Sequence, residues 1–180
     1  MQILLYILLI IALALAAIFV IGSLVTFLVE RSPYQKQFRE GHAPDPGPHN
    51  FYTGVPHVLL DKKTPWLGKS FDRDTETGFN IFTPTGARIL KIATPFYSRF
   101  SLNQQGNTNA YYFRTRRGKG KKDSETDVMK LDYSAPENPF LIRIILDEIV
   151  ETAPNNYLGK IHVKMLPGFY VTIGYFGLRD

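Results

Sequence analysis

Tyr157-Leu158-Gly159-Lys160-Ile161-His162-Val163-Lys164-Met165, then Leu166-Pro167-Gly168, then Phe169-Tyr170-Val171-Thr172-Ile173-Gly174-Tyr175-Phe176-Gly177-Leu178 bring the chain almost to its C-terminus. Side chains along a strand alternate between two faces. On that period Tyr157, Gly159, Ile161, Val163 and Met165 share one face, and Leu158, Lys160, His162 and Lys164 share the other. Pro167-Gly168 supplies a turn between the two runs. The stretch therefore predicts two antiparallel strands, 157–165 and 169–178, and a fold made mainly of β-structure.

Upstream the same period recurs at short intervals as far back as Phe51. Apolar or alternating pieces run Val55–Leu60, Trp66–Phe71, Gly78–Phe82, Ala87–Ala93, Phe96–Leu102, Ala110–Thr115 and Asp127–Tyr133. Turn residues separate them: Pro65, Pro84-Thr85-Gly86, Pro95 and the loop Asn103–Asn109. In Phe96–Leu102, for example, Phe96, Ser98 and Phe100 point one way and Tyr97, Arg99 and Ser101 the other. One segment departs from the pattern. Asn138-Pro139 is a good helix opening, because Asn can cap free amides and Pro has no amide to waste. Phe140–Leu146 then reads as a short buried helix, with Arg143 and Asp147 spaced for an ion pair. A helical period extended to Glu151 competes with a β-branched strand over Ile149–Ala153. Pro154-Asn155-Asn156 is a turn. The sum is about nine strands and one short internal helix, a barrel or a sandwich.

A closed sheet of roughly eight to ten strands has room for one small apolar molecule. The run Trp66-Leu67-Gly68-Lys69-Ser70-Phe71 near the start, with the meander and strand count over most of residues 51–180, resembles the lipocalin and fatty-acid-binding (calycin) class. Gly68 follows Trp66 here, whereas the lipocalin opening sets Gly two residues before Trp. The block Asp132–Lys160, with Asn138-Pro139, Asp147-Glu148 and Tyr157-Leu158-Gly159-Lys160, is similar to uncharacterised membrane-anchored bacterial proteins. The first resemblance implies a lipocalin-like antiparallel barrel around an apolar ligand; the second implies no activity.

Ahead of this domain lies Ile3–Val29, without one formal charge. As a helix it is roughly 40 Å long at about 1.5 Å per residue, more than the roughly 30 Å hydrocarbon layer of a bilayer. We expect a single transmembrane anchor, residues 1–31, then a Pro/Gly-rich linker, 32–50, then one β-barrel-like soluble domain, 51–180. A cleavable signal peptide is the alternative, since Ala12, Ala14, Ala16 and Ala17 are small. Its apolar core would end at the alanines, whereas apolar sequence continues through Val29. Arg31, Lys36 and Arg39 follow the helix, which places the domain in the cytoplasm by the positive-inside bias.

The formal charge of +5 lies wholly outside the apolar helix. A basic domain beside a membrane favours anionic lipid head groups; nucleic acid ranks below, because acidic residues are interspersed. No cysteine is present, which excludes disulfides, thiol catalysis and cysteine-based metal sites. Arg114, Arg116, Arg117, Lys119, Lys121 and Lys122 form a basic run with Gly118 and Gly120. It lacks P-loop spacing and is read as a membrane-surface or anion-binding loop, against a solvated hairpin tip.

The chemistry-bearing residues give no catalytic constellation and no metal or cofactor site. Asp147 and Glu148 are adjacent acids that could act as acid and base if burial separated them, against a structural role at a helix end. His162 reads as a surface or rim histidine, His57 as partly buried, and His42 and His49 as flanking the linker. Aromatic residues make 13% of the chain. Trp66, Phe71, Phe79, Phe96, Phe100, Tyr112, Tyr170 and Phe176 are the expected cavity lining. The expected function is a membrane-anchored binding protein holding a lipid or other small apolar ligand. The alternatives are an accessory subunit of a membrane complex, with small residues on the helix admitting a neighbour, and an enzyme acting on a lipid-like substrate.

Overall fold

A computed structural model describes residues 2–57 and 64–180. The elements are α1 (Gln2–Glu30), α2 (Pro33–Glu40), β1 (Asn50–Pro56), β2 (Trp66–Asp72), β3 (Thr77–Phe82), α3 (Pro84–Ala93), β4 (Ser101–Leu102), β5 (Thr108–Lys119), β6 (Asp127–Asp132), α4 (Phe140–Arg143), β7 (Ile145–Ala153), β8 (Asn156–Leu166) and β9 (Phe169–Arg179). The strands pair in the order β3-β2-β1-β9-β8-β7-β6-β5, and β3 pairs again with β5. That last pairing closes an antiparallel barrel of eight strands, with β4 a short addition beside β5. Among the described residues, closure leaves the sheet without a free edge except at β4.

The terminal hairpin forms as the period predicts, with Leu166 opposite Phe169 and Gly168 at φ 77 in the turn. Its inner face carries Tyr157, Ile161, Phe176 and Leu178 in one aromatic-rich core shared with Tyr52, Phe71, Phe113 and Leu131. Gly159 sits opposite Phe176, and any Cβ there would collide with the Phe176 ring. Its outer face is also covered. Leu158 and Tyr175 pack with Val128 and Val150 beneath Val29 of α1 and Phe38 of α2.

Among the described residues α1 touches the barrel through its last three turns. Gly22, Thr26 and Val29 are its buried residues, spaced four and three apart on one face. A Cβ on Gly22 would lie 2.5 Å from Val171, and Phe19 packs on Phe169 at 4.9 Å. Thr26 Oγ1 accepts from the Thr172 amide at 3.0 Å, and Glu30 accepts from Lys160 at 2.6 Å. From Gly22 to Glu30 the helix thus climbs β9 away from the β8–β9 turn. Residues 2–17 run past that turn exposed.

The segment 32–50 holds α2, opened by Pro33, and then an irregular stretch laid on the barrel. His42 bridges Glu151, the Pro44 carbonyl accepts from Arg117, and Pro44 and Pro48 are buried. β1 covers the first part of the Val55–Leu60 piece, and Val58–Leu60 lie outside the described residues.

Three local expectations are corrected. Ala87–Ala93 belongs to the helix α3, because Thr83 caps it by accepting from the Gly86 amide at 3.1 Å and Pro84 occupies its first turn. Phe96–Leu102 forms no full strand: β3 pairs directly with β5, so its backbone has no ladder to join except at Ser101–Leu102. The helix expected over Phe140–Leu146 is the single turn α4, with Phe140 and Leu141 66% and 64% exposed rather than buried. Asn138 does not cap it; its amide donates to the Tyr112 and Tyr133 carbonyls.

Candidate functional site

One end of the barrel is built from β-strand ends that lie together by register: Trp66 beside Phe82, Ile145 beside Val163, and Leu166 beside Phe169. α3 follows β3 there and α4 precedes β7 there. Between them lies a cavity of about 260 Å³, mainly apolar, lined by Trp66, Phe82, Leu90, Tyr111, Ile142, Ile145, Ile161 and Phe176 above a floor of Lys69, Asn80, Tyr133 and Asp147. The side chains of α3 and α4 that face it, Leu90 and Ile142, make its mouth.

An irregularity in β2 brings Trp66 onto the same inward face as Lys69. Register shifts between Trp66 and Gly68, and Gly68 holds φ +144 with the Tyr52 carbonyl where a Cβ would be. A bulge of this kind inverts the facing of the residues beyond it, so Trp66 and Lys69 both point inward. Trp66 Nε1 donates to Asn80 Oδ1 at 3.0 Å. The Lys69 ammonium donates to Asn80 Oδ1 at 2.9 Å, to Tyr133 OH at 2.5 Å and to Asp147 Oδ2 at 2.9 Å. Tyr133 donates to the same Asp147 oxygen at 3.1 Å. Among the described residues no hydrogen bond reaches Asp147 Oδ1. The ammonium also lies 5.0–5.5 Å from the ring centres of Trp66, Phe113, Tyr133 and Phe176.

Tyr111 takes φ 55 at a register shift of β5. This turns its carbonyl to Asn80 Nδ2 at 3.2 Å and its amide to Tyr97 OH at 2.9 Å. Left-handed backbone at a bulky residue is strained, and the bonds that hold it come from two side chains, Asn80 on the cavity floor and Tyr97 on the neighbouring groove. Burial lowers the Lys69 pKa, opposed by the Asp147 charge, and burial raises that of Tyr133 well above the ordinary phenol. The ammonium and carboxylate balance, so the floor is a polar group of no net charge at the base of an apolar pocket.

Asp147 and Glu148 do not converge. Asp147 faces the cavity, and Glu148 faces out beneath the covering segments, where it accepts from the Lys121 amide at 2.8 Å and contacts His162 Nε2 at 3.1 Å. His162 is fully buried rather than at the surface, because α1 and the β5–β6 tip cover that face. Beside it Lys160 donates to Glu30, Gln35 and Asp123 at 2.6–2.9 Å, Arg39 pairs with Asp123 at 2.7 Å, and Tyr175 OH donates to Gln35. Burial pushes the Asp123 and Glu148 carboxyls up, but hydrogen bonds from Lys160 and Arg39, and from His162, outweigh it and hold both below the ordinary range.

Of the expected cavity residues, Trp66 and Phe176 line the cavity, and Phe71 and Phe100 belong to the core beneath and beside it. Phe79 and Tyr112 pack on each other at 5.5 Å, away from the cavity. Tyr170 lies under Lys121 at 4.5 Å. Phe96 is 100% exposed. In the basic run Arg116 pairs with Asp132, Arg117 with Asp45 and Lys119 with Asp127, Arg114 is exposed, and Lys122 sits over Phe169. His57 stacks on Tyr34 at 4.3 Å. The Arg143–Asp147 pair does not form; Asp147 turns to Lys69 and Arg143 lies over Phe140. Lys69, Asn80 and Tyr133 were not foreseen, although a lysine two residues before Phe71 on an apolar face is a signal for a buried partner. Among the described residues no three His, Asp or Glu side chains are grouped to hold a metal.

No protein-family model matches the chain, and no curated protein matches it. It is similar to a solved crystal structure of a protein from Thermomonospora curvata, at 16% identity and TM-score 0.45 over 93% of this chain and 96% of that one.

Proposed function

We propose that this is a membrane-anchored binding protein whose barrel holds a lipid or other small apolar ligand at the bilayer surface, as in lipocalin-like barrels. The observation that carries it is the apolar cavity of about 260 Å³ over the neutral Lys69–Asp147 floor. An apolar pocket with a few convergent polar groups suits an apolar body and one polar end. The part of α1 free of the barrel, residues 2–21 apart from Phe19, supports the anchor. Its stretch 2–17, clear of the barrel altogether, is roughly 24 Å long at about 1.5 Å per residue, and the mostly exposed residues 18–21 carry it to roughly the thickness of the hydrocarbon layer. Arg31, Lys36 and Arg39 after it favour a cytoplasmic domain.

The test is native mass spectrometry with lipid extraction on full-length protein taken gently from its own membranes. A stoichiometric small apolar molecule supports the proposal and identifies the ligand. Co-purifying polypeptides with an empty barrel overturn it in favour of an accessory subunit. That second reading is favoured by Leu24, Phe27 and Leu28, 52–57% exposed on the face of α1 away from the barrel.

A further inference from the structure

We propose that the cavity end of the barrel is itself a membrane-contact surface, sunk into the interfacial layer of the bilayer that α1 spans, so that the cavity opens to lipid rather than to water. The inference rests on the spanning reading of α1 and goes beyond it in saying which face of the barrel meets the membrane, and how deeply.

Three segments distant in sequence meet around the mouth. α3 exposes Ile89 and Ile92, at 55% and 82%, and the residues after it expose Phe96 at 100%. α4 exposes Phe140 and Leu141. A groove of about 480 Å³ lined by both Phe96 and Phe140 shows that these segments adjoin. Met165, 44% exposed, stands at the β8–β9 turn on the same end. Large exposed apolar side chains scattered singly need no explanation, but a cluster on one end marks a contact surface.

The occupant is set by α1. It leaves the barrel past the β8–β9 turn, at this same end, with its exposed part directed away from the barrel. The helix stays apolar on its outer face through Leu24, Phe27 and Leu28, two turns after it has docked on β9. A lipid level set only by residues 2–21 would leave those side chains in water; raising it to cover them brings the mouth into the head-group layer.

The charges agree. α3, 140–144 and 164–170 carry Arg88, Lys91, Arg143 and Lys164 and no acid, and Glu137 on the groove between them is matched by Arg99 at 3.7 Å. Lys91 lies over Phe100, Arg143 over Phe140 and Lys122 over Phe169, at 5.6–5.8 Å. An aromatic body with a cation over its face suits the boundary between acyl chains and phosphates.

The chain has no cysteine, so single cysteines can be placed at will. Ile92→Cys, Phe96→Cys and Leu141→Cys report the mouth, Asn155→Cys the turn at the opposite end, and Leu9→Cys the free part of α1. Each full-length variant is labelled with an environment-sensitive fluorophore and reconstituted in vesicles of phosphatidylcholine with phosphatidylglycerol. Quenching by iodide in water is compared with quenching by nitroxide-bearing lipid. We expect the three mouth labels to be quenched by lipid and to lose several-fold of their iodide quenching relative to the Asn155 label. Mouth labels as open to iodide as Asn155, with Leu9 quenched by lipid, overturn the mouth contact and leave the anchor standing. A Leu9 label open to iodide overturns the spanning reading and this inference together. Mouth labels shielded from iodide yet silent to lipid show a protein partner instead and overturn it.

Discussion

Asp147 and Glu148 are adjacent in β7 and lie on opposite sides of the barrel wall, Asp147 bonded to Lys69 inside it and Glu148 to His162 outside it. Alternation along a strand requires this. Each acid anchors a different buried network, and the two report separately.

For the inner network, Lys69→Met or Asp147→Leu leaves a buried charge without its partner. Each single variant should lose about 3–5 kcal/mol of stability. The double variant should lose clearly less than the sum, measured by chemical unfolding in detergent. Additive losses would show that the two groups do not act as a pair.

For the outer network, Glu148 and Asp123 have folded pKa values below their ordinary 4.5 and 3.8. A depressed carboxyl binds fewer protons folded than unfolded. Its contribution is present above the ordinary value and is lost as pH falls through the folded one. Thermal unfolding followed from neutral pH to about 3 should therefore show a steep loss of stability below pH 4.5, shallower in Glu148→Gln. An unchanged slope in that variant would remove Glu148 as its source.

Ile161→Phe adds volume to the cavity wall while keeping an apolar side chain. Native mass spectra should show a folded protein with lower occupancy by its small molecule. Undiminished occupancy would place the ligand elsewhere.

Lys121 and Lys122 stack on Tyr170 and Phe169 near the turn past which α1 leaves, whereas Lys119 pairs with Asp127. Each cation near an anionic surface contributes about 1 kcal/mol. Amine labelling read by peptide mass spectrometry should slow at Lys121 and Lys122 when phosphatidylglycerol is added to the vesicles, and not at Lys119. Equal rates at all three would remove the membrane role of the basic run.

The strands were legible where alternation coincided with a partner. Trp66–Phe71, Gly78–Phe82 and the terminal hairpin form within a residue or two of their expected bounds. Ala87–Ala93 shows why alternation alone is ambiguous: Ile89 and Ile92 are exposed rather than inward, and the Thr83 cap decided for helix. Phe96 looked like core by its pattern, and the direct β3–β5 pairing put it outside. The cavity floor was not legible because closure brings together Lys69, Asn80 and Asp147 from three strands and Tyr133 just beyond β6; alternation with Phe71 puts Lys69 inward, but nothing local names its partners. His162 and Lys160 lie on the outer face that alternation assigned them, but nothing local to the strand announces that a distant helix will cover it.

Glu30 ends α1 and is bonded to Lys160 and Thr172 in the barrel wall. Together with Gly22 and Thr26 seated on β9, it gives the helix three fixed points along the barrel rather than one hinge at its base. A domain on a loose tether rotates and tilts independently of its helix; here the end of the helix and the barrel wall are joined at three points. Under the membrane-spanning role proposed for α1, a tilt of the helix imposed by a change in bilayer thickness would pass through those points to the barrel.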